Sequence, residues 1–404
     1  MNIEPYLRLM AERNASDMYF TTGAPICVKI EGDIRPVSRT PLEPGVAKTI
    51  AYSLMSESKI AEFEREREMN LGVSLPTLGR FRVNIYVQRG EVSIVARYIK
   101  SQIPTIEQLY LPPVLKDMVM EHAGLILMVG ATGCGKSTSM AAMIDYRNAS
   151  RSGHILTVED PIEYMFQHKK SIVGQREVGL DTLSYENALR EAMREAPDMI
   201  MIGEVRDRLT MEAAIGFADT GHLALTTLHA VNANQALDRV INMFPSDAKQ
   251  QILMDLSLNL RGIIAQRLVV GKDGKRVPAV EVLVNTPYIS ELVRKGEMGG
   301  IKEVMEKGSS VGMQTFDQAL FELYKSGRIS LQAALSNADS RGDLEWRINF
   351  GGGVRSLKKQ ADKVEFPSDS LDTRNQAAKP AAKPAGSGDE ELKPVSQSGV
   401  VDAD

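Results

Sequence analysis

From 130 to 138 the chain reads Gly130, Ala131, Thr132, Gly133, Cys134, Gly135, Lys136, Ser137, Thr138. This is the pattern G-x-x-x-x-G-K-[ST], whose chemistry is phosphate binding. The glycines let the backbone curl until successive N–H groups point inward at an anion, and a helix starting at the lysine adds the positive end of its dipole. Lys136 would reach the terminal phosphates of a nucleotide, and the Ser137 hydroxyl would hold a magnesium ion. Cleaving a phosphoanhydride also needs a carboxylate to order or deprotonate water and positive charge for the transition state. Glu163 and Glu204 are the best candidates for the acid, and spacing does not say which of them does which job. His229 is a candidate hydrogen-bond donor to the terminal phosphate. His222 lies about 20 Å from it if the intervening run is extended, which suits a role in the fold or a subunit contact better than catalysis.

These residues need elements to hold them. Leu125, Ile126, Leu127, Met128 and Val129 form a short apolar run, which stops at the glycines and restarts in the helix formers Met140, Ala141, Ala142 and Met143. That succession predicts strand, tight loop and helix. Further buried strands are expected at 155–158, 199–202 and 223–227, with helices between them. Such alternation implies a parallel sheet with helices on both faces, and open sheets of this kind bind ligands beyond the carboxyl ends of their strands. The glycine loop, the acidic turn 159–163, Glu204 and His229 all follow such ends. Their convergence is a stronger signal than any one of them.

Before this region, residues 3–13 carry Ile3, Tyr6, Leu7 and Met10 at helical spacing. Two short strands follow around Met18 and Phe20, then Ile26, Val28 and Ile30, closed by a turn at Gly32 and Asp33. A helix is expected from 45 to about 55, and the charged run 62–68 reads as a solvated helix face. Phe81, Val83, Ile85 and Val87 then alternate up to Arg89 and Gly90, while Val92, Ile94, Ala96 and Tyr98 alternate back, which predicts a hairpin. Arg82 and Arg97 sit near its open end. Lone arginines on strands usually make weak surface salt bridges, so position alone does not assign them to phosphate.

Pro104, Pro112 and Pro113 mark a domain boundary. After the fourth buried strand, 252–268 has the apolar spacing of a helix, 277–284 reads as a strand, and short amphipathic helices are expected near Leu292 and over 316–324 and 331–338. Past Gly351, Gly352 and Gly353 the composition turns to Ala, Lys, Pro, Ser, Gly and acids, predicting a disordered tail over 354–404.

With 404 residues, 25% charged and 43% apolar, the chain has the composition of a soluble globular protein of about two domains. A net charge of −4 gives no general field toward nucleic acid or anionic lipid. Two isolated cysteines, Cys27 and Cys134, cannot build a disulfide framework or a four-cysteine zinc site, and fit a reducing cytoplasm. No apolar run approaches a membrane span and the first residues show no signal layout. A cytoplasmic protein that can dock on a membrane complex is expected.

Taken together, the chain resembles the secretion-type hexameric ATPases, and within them the type IV pilus retraction motors of the PilT/PilU family, from residue 1 to about 353. The resemblance rests on the 130–138 loop, the acidic box Glu159-Asp160-Pro161-Ile162-Glu163-Tyr164, the Walker B stretch from Met199 through Glu204 to Asp207, and the histidine box from Thr220 and His222 to His229. It implies an α/β protein with a PAS-like N-terminal domain (1–104), a linker (105–113) and a RecA-like P-loop ATPase domain (114–353). It also implies a homohexamer that hydrolyses ATP with Mg2+, with Arg82 and Arg97 reaching nucleotide phosphate from the N-terminal domain. The retraction signature Ala-Ile-Arg-Asn-Leu-Ile-Arg-Glu is replaced here by Tyr288-Ile289-Ser290-Glu291-Leu292-Val293-Arg294-Lys295. That departure and the long tail resemble the PilU branch, the accessory retraction ATPases. Implied partners are a PilT-type retraction ATPase and an inner-membrane pilus platform protein, with a peripheral location at the cytoplasmic face of that membrane and no nucleic acid. Two other readings stay open on sequence: a DNA translocase or helicase built on the same core, and an accessory ring that assists a PilT motor while barely hydrolysing ATP.

Overall fold

The computed structural model describes residues 3–30, 32–75 and 78–350. The expected tail lies outside the described residues. In the N-terminal region, α1 (Glu4–Glu12) leads into β1 (Asp17–Phe20), β2 (Cys27–Ile30) and β3 (Asp33–Pro36). Next come α2 (Val46–Ser53) and α3 (Glu57–Glu66), then β4 (Glu68–Leu75), β5 (Gly79–Gln88) and β6 (Glu91–Ile99). The charged run does form a helix, α3, which Ser56 starts by accepting a hydrogen bond from the Lys59 N–H and which buries Phe63. The six strands make one antiparallel sheet in the order β3-β2-β1-β6-β5-β4. On β5, Phe81, Val83 and Ile85 are buried while Arg80, Arg82 and Asn84 between them are not. The buried face meets Leu7 and Met10 of α1, Ile50 and Ala51 of α2, and Phe63. Strand β4 follows directly on the charged run, and its Met69, Leu71, Val73 and Leu75 alternate with exposed Glu68, Asn70, Gly72 and Ser74.

The C-terminal region opens with α4 (Val114–Met120), β7 (Gly124–Val129), α5 (Lys136–Ser150), β8 (Gly153–Glu159) and β9 (Ser171–Glu177). It continues through α6 (Tyr185–Ala192), β10 (Met199–Ile202), α7 (Arg208–Asp219), β11 (Leu223–Leu228), α8 (Ala233–Asn242) and α9 (Lys249–Asn259). Then follow β12 (Leu260–Val270), β13 (Arg276–Val284), α10 (Pro287–Lys295), α11 (Ile301–Lys307), α12 (Phe316–Lys325), α13 (Leu331–Asn337) and α14 (Arg341–Phe350). Seven strands pair in the order β13-β12-β7-β11-β10-β8-β9. All neighbours are parallel except β12 and β13. Every residue of β7, β10 and β11 is buried, as expected of strands covered on both faces.

One expectation is corrected. The stretch 252–268 is not a single helix, because α9 ends at Asn259 and β12 runs from Leu260 to Val270. The apolar spacing continues past the junction through Leu260, Ile263, Ile264 and Leu268, but β-branched Ile263, Ile264 and Val269 favour extended backbone, and pairing with β7 on one side and β13 on the other fixes it. Strand β9 also lacked a legible pattern, since Gly174, Gln175 and Arg176 follow its buried Val173.

Candidate active site

Parallel register brings four strand ends to one rim. Val129 of β7 lies opposite Leu228 of β11, and Thr226 of β11 opposite Ile202 of β10, which in turn faces Val158 of β8. The glycine loop, Glu204, His229 and the turn after Glu159 therefore begin within a residue or two of a common line. The strands are tied beyond their regular pairing: Thr226 Oγ1 donates to the Ile202 carbonyl at 2.9 Å and Thr227 Oγ1 to that of Gly203 at 2.6 Å.

The loop from Gly130 to Gly135 has the built character of a phosphate cradle. Gly130, Gly133 and Gly135 have φ of 149°, 76° and 91°, conformations that side chains disfavour. A Cβ on Gly130 would sit 2.5 Å from Cys134 Sγ, and one on Gly135 2.8 Å from Gln266 Nε2. Ala131, Thr132 and Gly133 face solvent while Cys134 is buried beneath them. Lys136 Nζ donates to the Gly130 carbonyl at 2.7 Å and the Ala131 carbonyl at 3.2 Å, so its ammonium lies over the loop. Ser137 is exposed and Thr138 half-buried at the start of α5. Gln266 of β12, itself buried, fastens the loop from below: its Nε2 donates to the Cys134 carbonyl at 2.7 Å and its Oε1 accepts from Ser139 Oγ at 2.7 Å. Sequence reasoning missed Gln266 because it read that segment as helix. A lone amide inside an apolar run was the available signal.

Glu204 and His229 come together, with His229 Nε2 2.9 Å from Glu204 Oε1. On its other side Glu204 Oε2 accepts from Arg206 Nε at 2.9 Å, and Arg206 Nη1 lies 3.9 Å from Asp160 Oδ2 in the acidic turn. Glu204 is thus oriented by an imidazole and a guanidinium, and the guanidinium also faces the neighbouring strand end.

The acidic turn is held from three directions. Tyr164 OH lies 3.0 Å from Thr138 Oγ1 on α5, and the Tyr164 carbonyl accepts from Gln175 Nε2 of β9 at 2.9 Å. Lys100, just after β6, forms an isolated parallel bridge with Tyr164, and Met165 N–H donates to the Lys100 carbonyl at 3.0 Å. Glu163 is exposed on this turn. Glu159 is buried at the end of β8, and burial pushes its carboxyl up to about 7. Hydrogen bonds from Thr157 Oγ1 at 2.8 Å, Gln175 Nε2 at 3.2 Å and the Glu163 N–H oppose that rise. Its burial was not legible, because its neighbours Asp160 and Glu163 made the whole segment look solvated.

In the N-terminal sheet Arg82 and Arg97 are direct cross-strand partners, closer than their separation in sequence suggests. Arg82 Nε lies 3.9 Å from Glu177 Oε1 at the end of β9, and Arg97 Nε donates to Asp17 Oδ1 at 2.8 Å. The hydrogen bond to Asp17 raises the Arg97 pKa, and the charge of Glu163 adds to it, so Arg97 lies within electrostatic reach of the acidic turn. His222 does not join the rim. It precedes the opposite end of β11, where its Nδ1 lies 3.1 Å from Thr220 Oγ1 and its ring meets Phe217 edge-on. Within this chain the length of β11 separates it from Glu204 and His229.

The family model "Type II/IV secretion system protein" matches residues 2–314. The chain belongs to this family. Within the secretion family it is 51% identical to the type IV pilus ATPase PilU of Pseudomonas aeruginosa, over 87% of this chain and 92% of that protein. Identity to the type IV pilus retraction ATPase PilT of the same organism is 39%, over 84% of this chain and 98% of that one. Among solved structures, the pilus retraction motor PilT with bound ADP superposes with a TM-score of 0.79 at 40% identity, over 85% of this chain and 99% of the other. The Legionella pneumophila ATPase DotB gives 0.71 at 25% identity, over 82% and 94%. This secretion-family chain is an ATPase of the PilT/PilU type with the expected α/β, RecA-like P-loop core.

Proposed function

We propose that the chain is one subunit of a homohexameric motor that hydrolyses magnesium ATP at the cytoplasmic face of the inner membrane and drives or assists type IV pilus retraction and twitching motility. Residues 1–104 would serve as its N-terminal domain and 114–353 as its ATPase domain. The observation that carries this reading is the rim itself, where a phosphate loop meets a carboxylate already paired to a histidine. The names of its relatives, a pilus ATPase and a pilus retraction motor, supply the machine.

In this reading the N–H groups of 130–135 and the first turn of α5 bind the phosphates, and Lys136 exchanges its two carbonyl acceptors for phosphate oxygens. Among the described residues no cluster of three His, Cys, Asp or Glu is arranged to hold a metal. The oxygen donors present suit magnesium, which usually keeps several waters and takes one or two protein ligands besides phosphate. Ser137 would hold it, and the ion would supply neutralisation of phosphate charge. Glu204, oriented by His229 and Arg206, would order or deprotonate the attacking water. Glu163 would act from the neighbouring strand end, and Arg82 and Arg97 would bring positive charge from the N-terminal sheet. Partners would be a PilT-type ATPase and a membrane platform protein. Among the described residues no helix is long and apolar enough to cross a membrane, so attachment would be peripheral.

Turnover of the purified full chain tests this, measured with and without DNA and with Lys136→Ala. The expected result is magnesium-dependent ATP hydrolysis, indifferent to DNA and reduced on the order of 100-fold in the variant. DNA-stimulated turnover would replace the motor with a translocase, and absence of turnover with a nucleotide-binding adaptor.

A further inference from the structure

At the end of β9 stands a charged group that the hydrolysis scheme does not use. The Glu177 side chain is 2% exposed, and among the described residues its Oε2 is a buried carboxylate oxygen with no hydrogen-bond partner. The other oxygen lies 3.9 Å from Arg82 Nε, and the carboxylate accepts the Ile162 N–H of the acidic turn. Oε2 is approached by Arg80 Nη2, also at 3.9 Å. Burial raises the Glu177 pKa, while Arg82 and Arg80 pull it down. A buried carboxylate is costly unless paired, so these two guanidiniums hold the N-terminal sheet against the ATPase region.

The two arginines are not equivalent. Arg80 also pairs with Asp181 Oδ2 at 3.5 Å, and Gly72 on β4 makes room for it: a Cβ there would sit 3.0 Å from Arg80 Nη2. Arg82, more exposed than Arg80 at 28% against 18%, faces Glu177 at a distance too long for a hydrogen bond. Arg80 thus has two acids to pair with and Arg82 has one, although both stand 3.9 Å from Glu177. If Arg82 leaves, Glu177 keeps Arg80 as its counterion. If Arg80 leaves, Arg82 is bound alone.

We propose that Glu177 is a positioning residue that competes with nucleotide for Arg82, holding it off the phosphate rim and yielding it to the terminal phosphate while Arg80 stays behind. The proposal rests on the reading that Arg82 serves phosphate. It makes the carboxylate at the end of β9 a setting for nucleotide affinity, and it gives the triphosphate and diphosphate states different interdomain ion pairs.

Affinities of the full chain for a non-hydrolysable ATP analogue and for ADP, in the presence of magnesium, provide the test. Glu177→Gln keeps an acceptor for Ile162 but frees Arg82, and should tighten the triphosphate analogue about three- to tenfold with ADP little changed. In the Arg82→Gln background the same substitution should give no gain. If Arg82→Gln alone leaves triphosphate affinity untouched, the phosphate reading of Arg82 fails and takes the proposal with it. If Arg82→Gln weakens the analogue but Glu177→Gln has equal effects with and without Arg82, only the competition is overturned. Should Glu177→Gln not fold, Arg80→Gln carries the test in the opposite direction. It leaves Arg82 as the sole counterion, so triphosphate affinity should fall while ADP affinity holds, and an unchanged triphosphate affinity overturns the proposal.

Discussion

The two sheets present chemistry in different ways. The N-terminal sheet is antiparallel and buried on one face, so its functional candidates, Arg80, Arg82 and Arg97, project from within strands near the open end of the hairpin, on the face away from the core. The ATPase sheet is mostly parallel and buried on both faces, and its candidates Lys136, Glu204 and His229 lie beyond strand ends. In the first sheet a functional side chain costs nothing in packing, because alternation already assigns it to the open face. In the second, a charge inside a strand would be enclosed, which confines reactivity to the rim. In the proposed reading the difference assigns the place of hydrolysis to the ATPase sheet, and to the N-terminal sheet the charge that would be brought to that place or removed from it.

The largest effect should come from the rim. Glu204→Gln is expected to lower kcat on the order of 100-fold or more while nucleotide still binds, checked by turnover beside a nucleotide titration. Loss of binding instead would mean that Glu204 holds the loop rather than the reaction. A smaller loss is expected from the N-terminal sheet: Arg82→Gln should reduce kcat/KM about 10-fold with little change in melting temperature, since Glu177 keeps Arg80 as its counterion. A drop in melting temperature of similar size to that of a core substitution would erase the distinction between the sheets. Tyr164→Phe removes one hydrogen bond, to Thr138. At about 1 kcal/mol it should cost roughly fivefold in kcat/KM.

The smallest effect concerns the exception to the rule. Glu281 lies inside β13, is 4% exposed, and accepts the Ala233 N–H that opens α8 just after His229. Burial pushes its carboxyl from an ordinary 4.5 up to about 7, and Asp339 adds to the rise against Arg267 and Lys302. A carboxyl raised in the folded state imposes no penalty below 4.5, where both states are protonated, and destabilises progressively as pH rises through about 7. Glu281→Gln should therefore raise the melting temperature by about 2 °C at pH 8 and leave it unchanged near pH 4.5. A gain independent of pH would show that packing, not charge, sets the effect.

Much of this was legible beforehand, and for physical reasons. Glycines before a lysine, and apolar runs that end in an acid or a histidine, mark strand-to-loop transitions locally, so the 130–138 loop, Glu204 and His229 could be placed at one rim. The hairpin alternation also put Arg82 and Arg97 together. What failed depended on long-range neighbours. β12 looked helical because Leu260, Ile263, Ile264 and Leu268 keep helical spacing, and only β7 and β13 beside it settle the backbone. Glu159, Glu177 and Gln266 are polar residues whose importance lies in burial, which local composition does not reveal. His222 shares a motif with His229, and the extended run between them already set the two apart.

The bridge between Lys100 and Tyr164 joins peptide groups, not side chains. Exchanging either residue for almost any other leaves that link standing, and only a substitution that deletes the amide hydrogen, such as Met165→Pro, would cut it. Mechanical continuity from the phosphate-side turn to the end of the N-terminal hairpin is therefore a property of the polymer backbone. It persists through wide amino-acid change on both sides of the junction, whereas the ionic contacts beside it can be retuned one residue at a time.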